Sequence, residues 1–172
     1  VENMKKDQKD IYYASGETIE KIDSLPQIEQ VKEKDYEILY LTDYVDEFTL
    51  NALGEYSGKK FKNVSAADLD LEEDKEEIDK INEENKDMFT LMRETIGVSE
   101  VRFTKKLKTH PVCLTSKGNI SVEMEKVINS MPGDESINAQ VVLEINENHP
   151  ISNKLKDLIN EKLCLAAKNA MK

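Results

Sequence analysis

Apolar and polar positions alternate along the first part of the chain in blocks that predict strands separated by helices. Residues 10–14 and 36–41 are nearly continuous apolar runs, which are typical of strands buried on both faces of a parallel sheet. Apolar positions at helical spacing predict helices over 18–34 and 43–53. A shorter strand at 58–64 completes a β-α-β-α-β order.

The middle of the chain is dominated by Asp and Glu over residues 68–87. A run of this kind is often a solvated linker. However, apolar residues such as Ile78 and Met88 recur at helical spacing. We therefore predict one long helix over 72–96, which ends at Gly97 because glycine accepts the left-handed conformation of a C-terminal cap.

The last part of the chain returns to short strands and amphipathic helices. Residues 98–107 and 111–116 predict a pair of strands, and residues 140–145 predict a further strand of β-branched character. A helix is predicted over 119–131. A second helix begins at Pro150, where the missing N–H of proline costs no hydrogen bond.

The chain has 172 residues, a length that allows one large domain or two small ones. We expect residues 1–70 to form a small three-layer α/β domain with a mainly parallel sheet. Residues 71–172 are expected to form a mixed α+β domain.

The formal net charge of −11 limits the possible partners. An acidic surface repels phosphate backbones and anionic lipids, so neither nucleic acid nor membrane is an expected partner. No run of about 20 apolar residues is present to span a bilayer. Residues 1–6 are polar and charged rather than a signal peptide, so we expect a cytoplasmic protein.

Candidate catalytic chemistry is scarce. The sequence contains neither a phosphate-binding G-x-x-x-x-G-K-[ST] loop nor a G-x-G-x-x-G motif. Its two histidines, His110 and His149, lack the clustered ligand spacing of a zinc site. We interpret Cys113 and Cys164 as buried, reduced thiols, and we predict no catalytic, cofactor-binding or metal-binding residue.

Six segments together carry a family resemblance, and one of them is LEINENHP at 143–150. The others are QKDIYY at 8–13, YEILYLTDYVDE at 36–47, GKKF at 58–61, VRFTKKL with HPV at 101–112, and ISVEMEK at 120–126. In this order and spacing they resemble the heat-shock protein 90 chaperone family in its bacterial form, high-temperature protein G. The resemblance covers about residues 1–158.

The resemblance implies a chaperone fragment that spans the C-terminal part of the middle domain (1–70) and the C-terminal domain (71–172). It implies binding of unfolded or partly folded client proteins, homodimer assembly and a role in the stress response. The family's ATP and magnesium site and its catalytic arginine lie in earlier domains, so no cofactor and no enzymatic activity are expected here. The alternatives are a small-molecule- or nucleotide-binding α/β enzyme domain and a purely structural dimerisation module.

The predicted helix over 119–131 is the candidate client-binding element. Its apolar stripe consists of Ile120, Met124, Val127, Ile128 and Met131. Such a stripe often packs in a core, but the matching family helix is partly exposed and implicated in client contact. Methionine adapts to many apolar partners. We therefore expect both methionines of the stripe to be accessible to solvent.

The last predicted helix is the candidate dimerisation element. The family continues after its His-Pro signature with helices that form a dimer interface, and the sequence after Leu158 departs from the family's pattern. The residues that we predict for this interface are Leu155, Leu158, Ile159 and Leu163.

Overall fold

The computed structural model describes residues 1–43, 45–67, 69, 75–132 and 136–170, and the side chains of residues 160 and 162–170 are not described. The first elements in chain order are β1 (Ile11–Ser15), α1 (Ile19–Asp23), a 3-10 turn (Pro26–Ile28), α2 (Glu29–Glu33), β2 (Ile38–Leu41), α3 (Asp46–Leu53), β3 (Glu55–Tyr56) and β4 (Lys59–Asn63). The remaining elements are α4 (Lys75–Glu84), α5 (Lys86–Ile96), β5 (Glu100–Thr104), β6 (Val112–Lys117), α6 (Val122–Ser130), β7 (Gln140–Asn146) and α7 (Pro150–Ala170).

The first four strands form one sheet, here called the N-terminal sheet, in the order β2-β1-β4-β3. Its three main strands are parallel, and Tyr12 of β1 pairs with Ile38 on one side and Lys62 on the other. The short strand β3 was not predicted from the sequence, and it forms a hairpin with β4. Ser57 and Gly58 both have positive φ, which matches the twist of a tight hairpin turn.

The N-terminal sheet packs against its own helices. Its buried core consists of Tyr12, Ala14, Ile22, Ile28, Val31, Val64 and Leu69. Gly16 allows α1 to approach closely, because a Cβ at this residue would lie 2.9 Å from the Ile22 side chain. The predicted α/β class is confirmed by these parallel strands and their connecting helices.

The C-terminal sheet has the order β5-β7-β6, and β7 is parallel to β5 and antiparallel to β6. The prediction that β5 and β6 pair with each other is therefore wrong. The strand between them is the most deeply buried, with Val142 and Ile145 at 0% and 1% exposure. Burial of these two side chains favours the central position for β7, and the polar 105–111 connection crosses from one edge to the other.

The predicted long helix is two helices, α4 and α5, and its predicted start at residue 72 lies outside the described residues. The break is at Asn85, whose φ of −107° and ψ of 15° are not helical. Its side-chain amide donates a hydrogen bond to the Ile81 carbonyl at 2.8 Å. Asparagine often competes with the helical backbone in this way, which explains the break.

Helices α4, α5 and α7 cover one face of the C-terminal sheet. Phe103 of β5, at 1% exposure, is the largest fully buried side chain in the described part of the chain. The Phe89 ring meets it edge to face with centroids 5.1 Å apart, and the Lys156 ammonium lies 4.6 Å from its centroid. The core around it consists of Ile78, Met88, Phe89, Val101, Phe103, Ile145 and Ile159.

The two sheets are joined by backbone hydrogen bonds beyond the end of β4. Ala66 forms an isolated parallel bridge with Ser116 of β6. The Ser116 N–H donates to the Ser65 carbonyl at 3.0 Å, and its own carbonyl accepts from the Ala67 N–H at 2.8 Å. The predicted boundary between residues 70 and 71 lies outside the described residues and stays a prediction.

The burial of Phe103 predicts a large effect of truncation. Phe103→Ala should lower the free energy of unfolding by about 3–5 kcal/mol, because it leaves a cavity beneath three helices. Leu53→Ala, at a position that is 55% exposed, is the matched control and should change it by less than about 0.5 kcal/mol. Urea unfolding followed by circular dichroism measures both values, and equal effects would contradict this description of the core.

Candidate functional site

The candidate client-binding helix is α6, and local sequence explains both of its ends. Ser121 caps its N-terminus, where the side-chain oxygen accepts a hydrogen bond from the Met124 N–H at 3.1 Å. Glu123 in the first turn stabilises the positive end of the helix dipole. The helix ends before Met131, which is extended because Pro132 follows it.

The apolar stripe of α6 is divided between the interior and the surface. Met131 is 58% exposed, and Ile120, Val127 and Ile128 are half-buried. Met124 is only 8% exposed. The expected accessibility is confirmed for Met131 and wrong for Met124, because the first turn of the helix is packed against α3.

A buried carboxylate anchors this first turn. Glu47 of α3 is 4% exposed and accepts a hydrogen bond from the Ser121 hydroxyl at 2.9 Å. One turn further along α3, the Asn51 amide lies 3.2 Å from the Met124 sulfur. The capping residue of α6 is thus bonded both to its own helix and to the N-terminal half of the chain.

Glu47 also reaches the end of the neighbouring strand, since its second oxygen accepts from the Asn63 amide at 2.6 Å. Burial, followed by the nearby Glu47 charge, raises the pKa of the Tyr13 hydroxyl well above its ordinary value. Glu47 is not among the site residues predicted from the sequence, because a glutamate in the first turn of a helix usually stabilises the helix dipole. A serine just before an apolar periodic segment could have identified Ser121 as the cap.

A second junction joins α2 to the connection between β5 and β6. The Glu29 carboxylate accepts hydrogen bonds from the Thr109 hydroxyl and from the Lys108 N–H at 2.9 Å, and it lies 2.7 Å from His110 Nδ1. Partial burial alone would raise its pKa. The hydrogen bonds outweigh that effect and lower the pKa of Glu29 to about 2.

A third junction is built on Glu144, a carboxylate in the centre of the C-terminal sheet with 1% exposure. Arg102 Nε donates to it at 2.9 Å, and the same guanidinium donates to the Ala67 carbonyl. The Cys113 thiol lies 3.8 Å from the second oxygen of Glu144. Cys113 is a free, buried thiol, as predicted. Burial, and then the Glu144 charge, raises the pKa of Cys113 to about 12, so this thiol is a poor nucleophile. The Cys164 side chain lies outside the described residues.

The histidines serve structural roles. His149 Nδ1 accepts the Ile151 N–H at 3.2 Å at the start of α7. Among the described residues, no group of three or more His, Cys, Asp or Glu side chains is placed to hold a metal ion. Within the same part of the chain, no helix combines the length and apolar character needed to cross a membrane.

The candidate dimerisation residues lie on α7 and face different directions. Leu155 and Ile159 pack into the chain's own C-terminal core. Leu158 is 62% exposed, and Ile151, one heptad earlier, is 47% exposed. The Leu163 side chain lies outside the described residues. Of the predicted set, Leu158 is therefore the described residue that faces outward.

Comparison with known proteins gives consistent matches. A family model described as "Hsp90 protein" matches residues 1–169. The chain is 52% identical over 158 residues to the Chaperone protein HtpG of Clostridium acetobutylicum, which covers 91% of this chain and 25% of the relative. It is 50% identical over 161 residues to the Chaperone protein HtpG of Clostridium perfringens, and this match covers 92% of this chain and 26% of the relative. The chain is 52% identical over 156 residues to the Chaperone protein HtpG of Oceanobacillus iheyensis, and this match covers 89% of this chain and 25% of the relative. The chain thus spans about a quarter of the length of these curated relatives.

The lowered pKa of Glu29 predicts a pH-dependent junction. A carboxyl whose folded pKa is depressed stabilises the fold above its unfolded pKa, and that contribution is lost as pH falls through the folded value. The free energy of unfolding should therefore be higher for the wild type than for Glu29→Gln at pH 7. This difference should shrink as the pH falls from about 4.5 to about 2. Urea unfolding at a series of pH values measures this difference. Glu94→Gln, which removes a carboxylate from an exposed position, is the control.

Proposed function

The chain belongs to the Hsp90 protein family, and we propose that it contacts unfolded or partly folded client proteins and supports homodimer assembly. Its relatives of about 50% identity are named chaperones. Because the chain spans about a quarter of their length, it accounts for only part of a chaperone's activity. We assign ATP and magnesium binding and ATP hydrolysis to regions that this chain does not contain, and we propose no enzymatic activity for it.

The observation that carries the client-binding proposal is the exposure of Met131 at the end of α6. Large apolar side chains at a protein surface are suited to contact with other apolar chains. Methionine is unbranched and polarisable, so it adapts to partners of different shape. Half-buried Val127 and Ile128 lie one turn before it on the same stripe and extend the apolar surface.

The backbone around this surface is held in place. The Asn129 side chain donates to the Ile137 carbonyl at 2.8 Å and accepts from the Ile137 N–H at 3.0 Å. Glu125 accepts from the Ala139 N–H at 3.0 Å. These bonds tie α6 to the segment before β7, so the exposed methionine projects from a supported helix end.

The dimerisation proposal rests on the exposed side of α7. Leu158 and Ile151 are seven residues apart and therefore lie on one side of the helix. The opposite side is used by Leu155 and Ile159 for the chain's own core. A second copy of α7 could bury this exposed stripe in a symmetric helix pair.

The alternative of a nucleotide-binding α/β enzyme domain is less consistent with the charges at the N-terminal sheet. Ligands of open α/β sheets bind beyond the carboxyl ends of the strands. Here Asp43 follows β2, and the carboxylate of Glu47 lies beside the end of β4. Carboxylates repel phosphate groups. With the net charge of −11, we propose protein partners rather than nucleic acid, and a cytoplasmic location like that expected from the sequence.

Client binding is tested by Met131→Glu. A charge at this position should weaken binding of a permanently unfolded, carboxymethylated protein by about tenfold, since an apolar contact is replaced by a hydrated carboxylate. Fluorescence anisotropy with the labelled unfolded protein measures the affinity. Ile96→Glu is the matched control, because Ile96 has similar exposure (51%) on α5. Equal affinity of the wild type and both variants would contradict the assignment of the client surface.

Self-association is tested by Leu158→Glu. The wild-type chain should sediment as a dimer at high concentration, and the variant should raise the dimer dissociation constant by at least about tenfold. Leu53→Glu, on α3 in the other half of the chain, is the control and should leave the dissociation constant unchanged. A wild-type chain that remains monomeric at every concentration would contradict the dimerisation proposal.

A further inference from the structure

A cavity of about 190 Å³ lies between the N-terminal sheet and the start of α6. Its buried wall includes Tyr13, Glu47, Ser116 and Ser121, and its rim includes the exposed residues Asn51 and Asn119. Pockets for drug-sized ligands and cofactors usually measure roughly 300–1,000 Å³. The volume therefore suits a single side chain better than a nucleotide.

The charge of Glu47 has no cationic partner among the described residues. The Asn63 amide and the Ser121 hydroxyl that donate to it are neutral, and so is the Tyr13 hydroxyl that also interacts with it. Within the described ranges, no Lys, Arg or His nitrogen lies within 4.0 Å of its carboxylate. A buried carboxylate of this kind is costly unless a cation compensates it.

The cationic residue on the cavity wall, Lys62, pairs with a carboxylate other than Glu47. Lys62 lines the cavity, but its ammonium forms an ion pair with Asp10 at 3.4 Å. The carboxylate of Glu47 retains acceptor capacity, because two oxygens offer about four lone-pair positions. The cavity thus contains an acceptor that a cation from outside the chain could use.

The rest of the lining is also suited to a planar cation. Two aromatic residues, Tyr13 and Phe61, line the cavity, and so do two residues with amide side chains, Asn51 and Asn119. Guanidinium groups stack on aromatic faces and donate several hydrogen bonds in one plane. Arginine is therefore a better match than lysine, whose ammonium is compact and strongly hydrated.

The position of the cavity connects it to the client surface. Ser121 lines the cavity and begins α6, and Asn51 on its rim contacts Met124 of the same helix. We propose that this cavity binds an arginine side chain of a client polypeptide that lies along α6. This inference rests on the proposed function, and it defines the preferred clients as segments in which arginine neighbours apolar residues.

The test compares two labelled peptides that differ in one side chain. One carries arginine between leucines, and the other carries citrulline, which has nearly the same shape without the charge. The full 172-residue chain should bind the arginine peptide about tenfold more tightly, as expected for a hydrogen bond to a charged group. Glu47→Gln should reduce this ratio to about one. Glu55→Gln removes the same charge from an exposed position and should preserve the ratio.

A second measurement does not depend on the variants folding. N-acetylarginine amide, added to the isotopically labelled wild-type chain, should shift the amide resonances of Tyr13, Asn63 and Ser121. Shifts confined to other residues, equal affinity for the two peptides, no binding of either peptide, or a tenfold ratio that persists in folded Glu47→Gln would each overturn the inference. The client-binding proposal is judged separately by Met131→Glu and the unfolded protein, so the two failures are distinguishable.

Discussion

The ion pair of Glu144 with Arg102 is the interaction on which the arrangement of the two sheets depends. Glu144 lies on the central strand of the C-terminal sheet with 1% exposure, and a carboxylate in this position requires a cation. Arg102 supplies it from the adjacent strand. The same guanidinium donates to the Ala67 carbonyl, and Lys106 donates to that carbonyl at 3.1 Å. The buried charge therefore fixes the C-terminal sheet internally and holds the segment that arrives from the N-terminal sheet.

The position of α6 follows from this junction. Because residues 65–67 run beside Ser116, the end of β6 is placed next to the end of β4. The chain leaving β6 then starts α6 close to the carboxyl ends of the parallel strands. In open α/β sheets this crevice usually receives a ligand. Here the capping hydroxyl of Ser121 enters it and bonds to Glu47, which explains why Met124 is buried while Met131, at the other end of the helix, is exposed.

The sequence allowed the elements to be predicted where local pattern decides the structure. The apolar run at β1 and the helix predicted over 119–131 are of this type, since burial on both faces and helical periodicity are visible in a few residues. The break at Asn85 depends on one side chain bonding to the Ile81 carbonyl, which periodicity does not reveal. Similarly, no local pattern separates Met124 from Met131. Their different exposure is set by α3, whose contact with α6 joins residues more than seventy positions apart.

The junctions between the two halves are mainly polar, and this leaves a defined set of apolar side chains for other partners. Each half fills its own core, around Tyr12 in one case and Phe103 in the other. Glu29, Glu47 and the Arg102–Glu144 pair then join the halves through directional hydrogen bonds, which fix orientation more than they add stability. Some exposed apolar side chains belong neither to these cores nor to the polar junctions. Met131 and Leu158 are of this kind; Met131 directly follows α6, Leu158 lies on α7, and these two helices flank β7 in the chain. The proposed client surface and the proposed dimerisation surface therefore both lie next to the C-terminal sheet. The buried charge of Glu144 sets the geometry of that sheet.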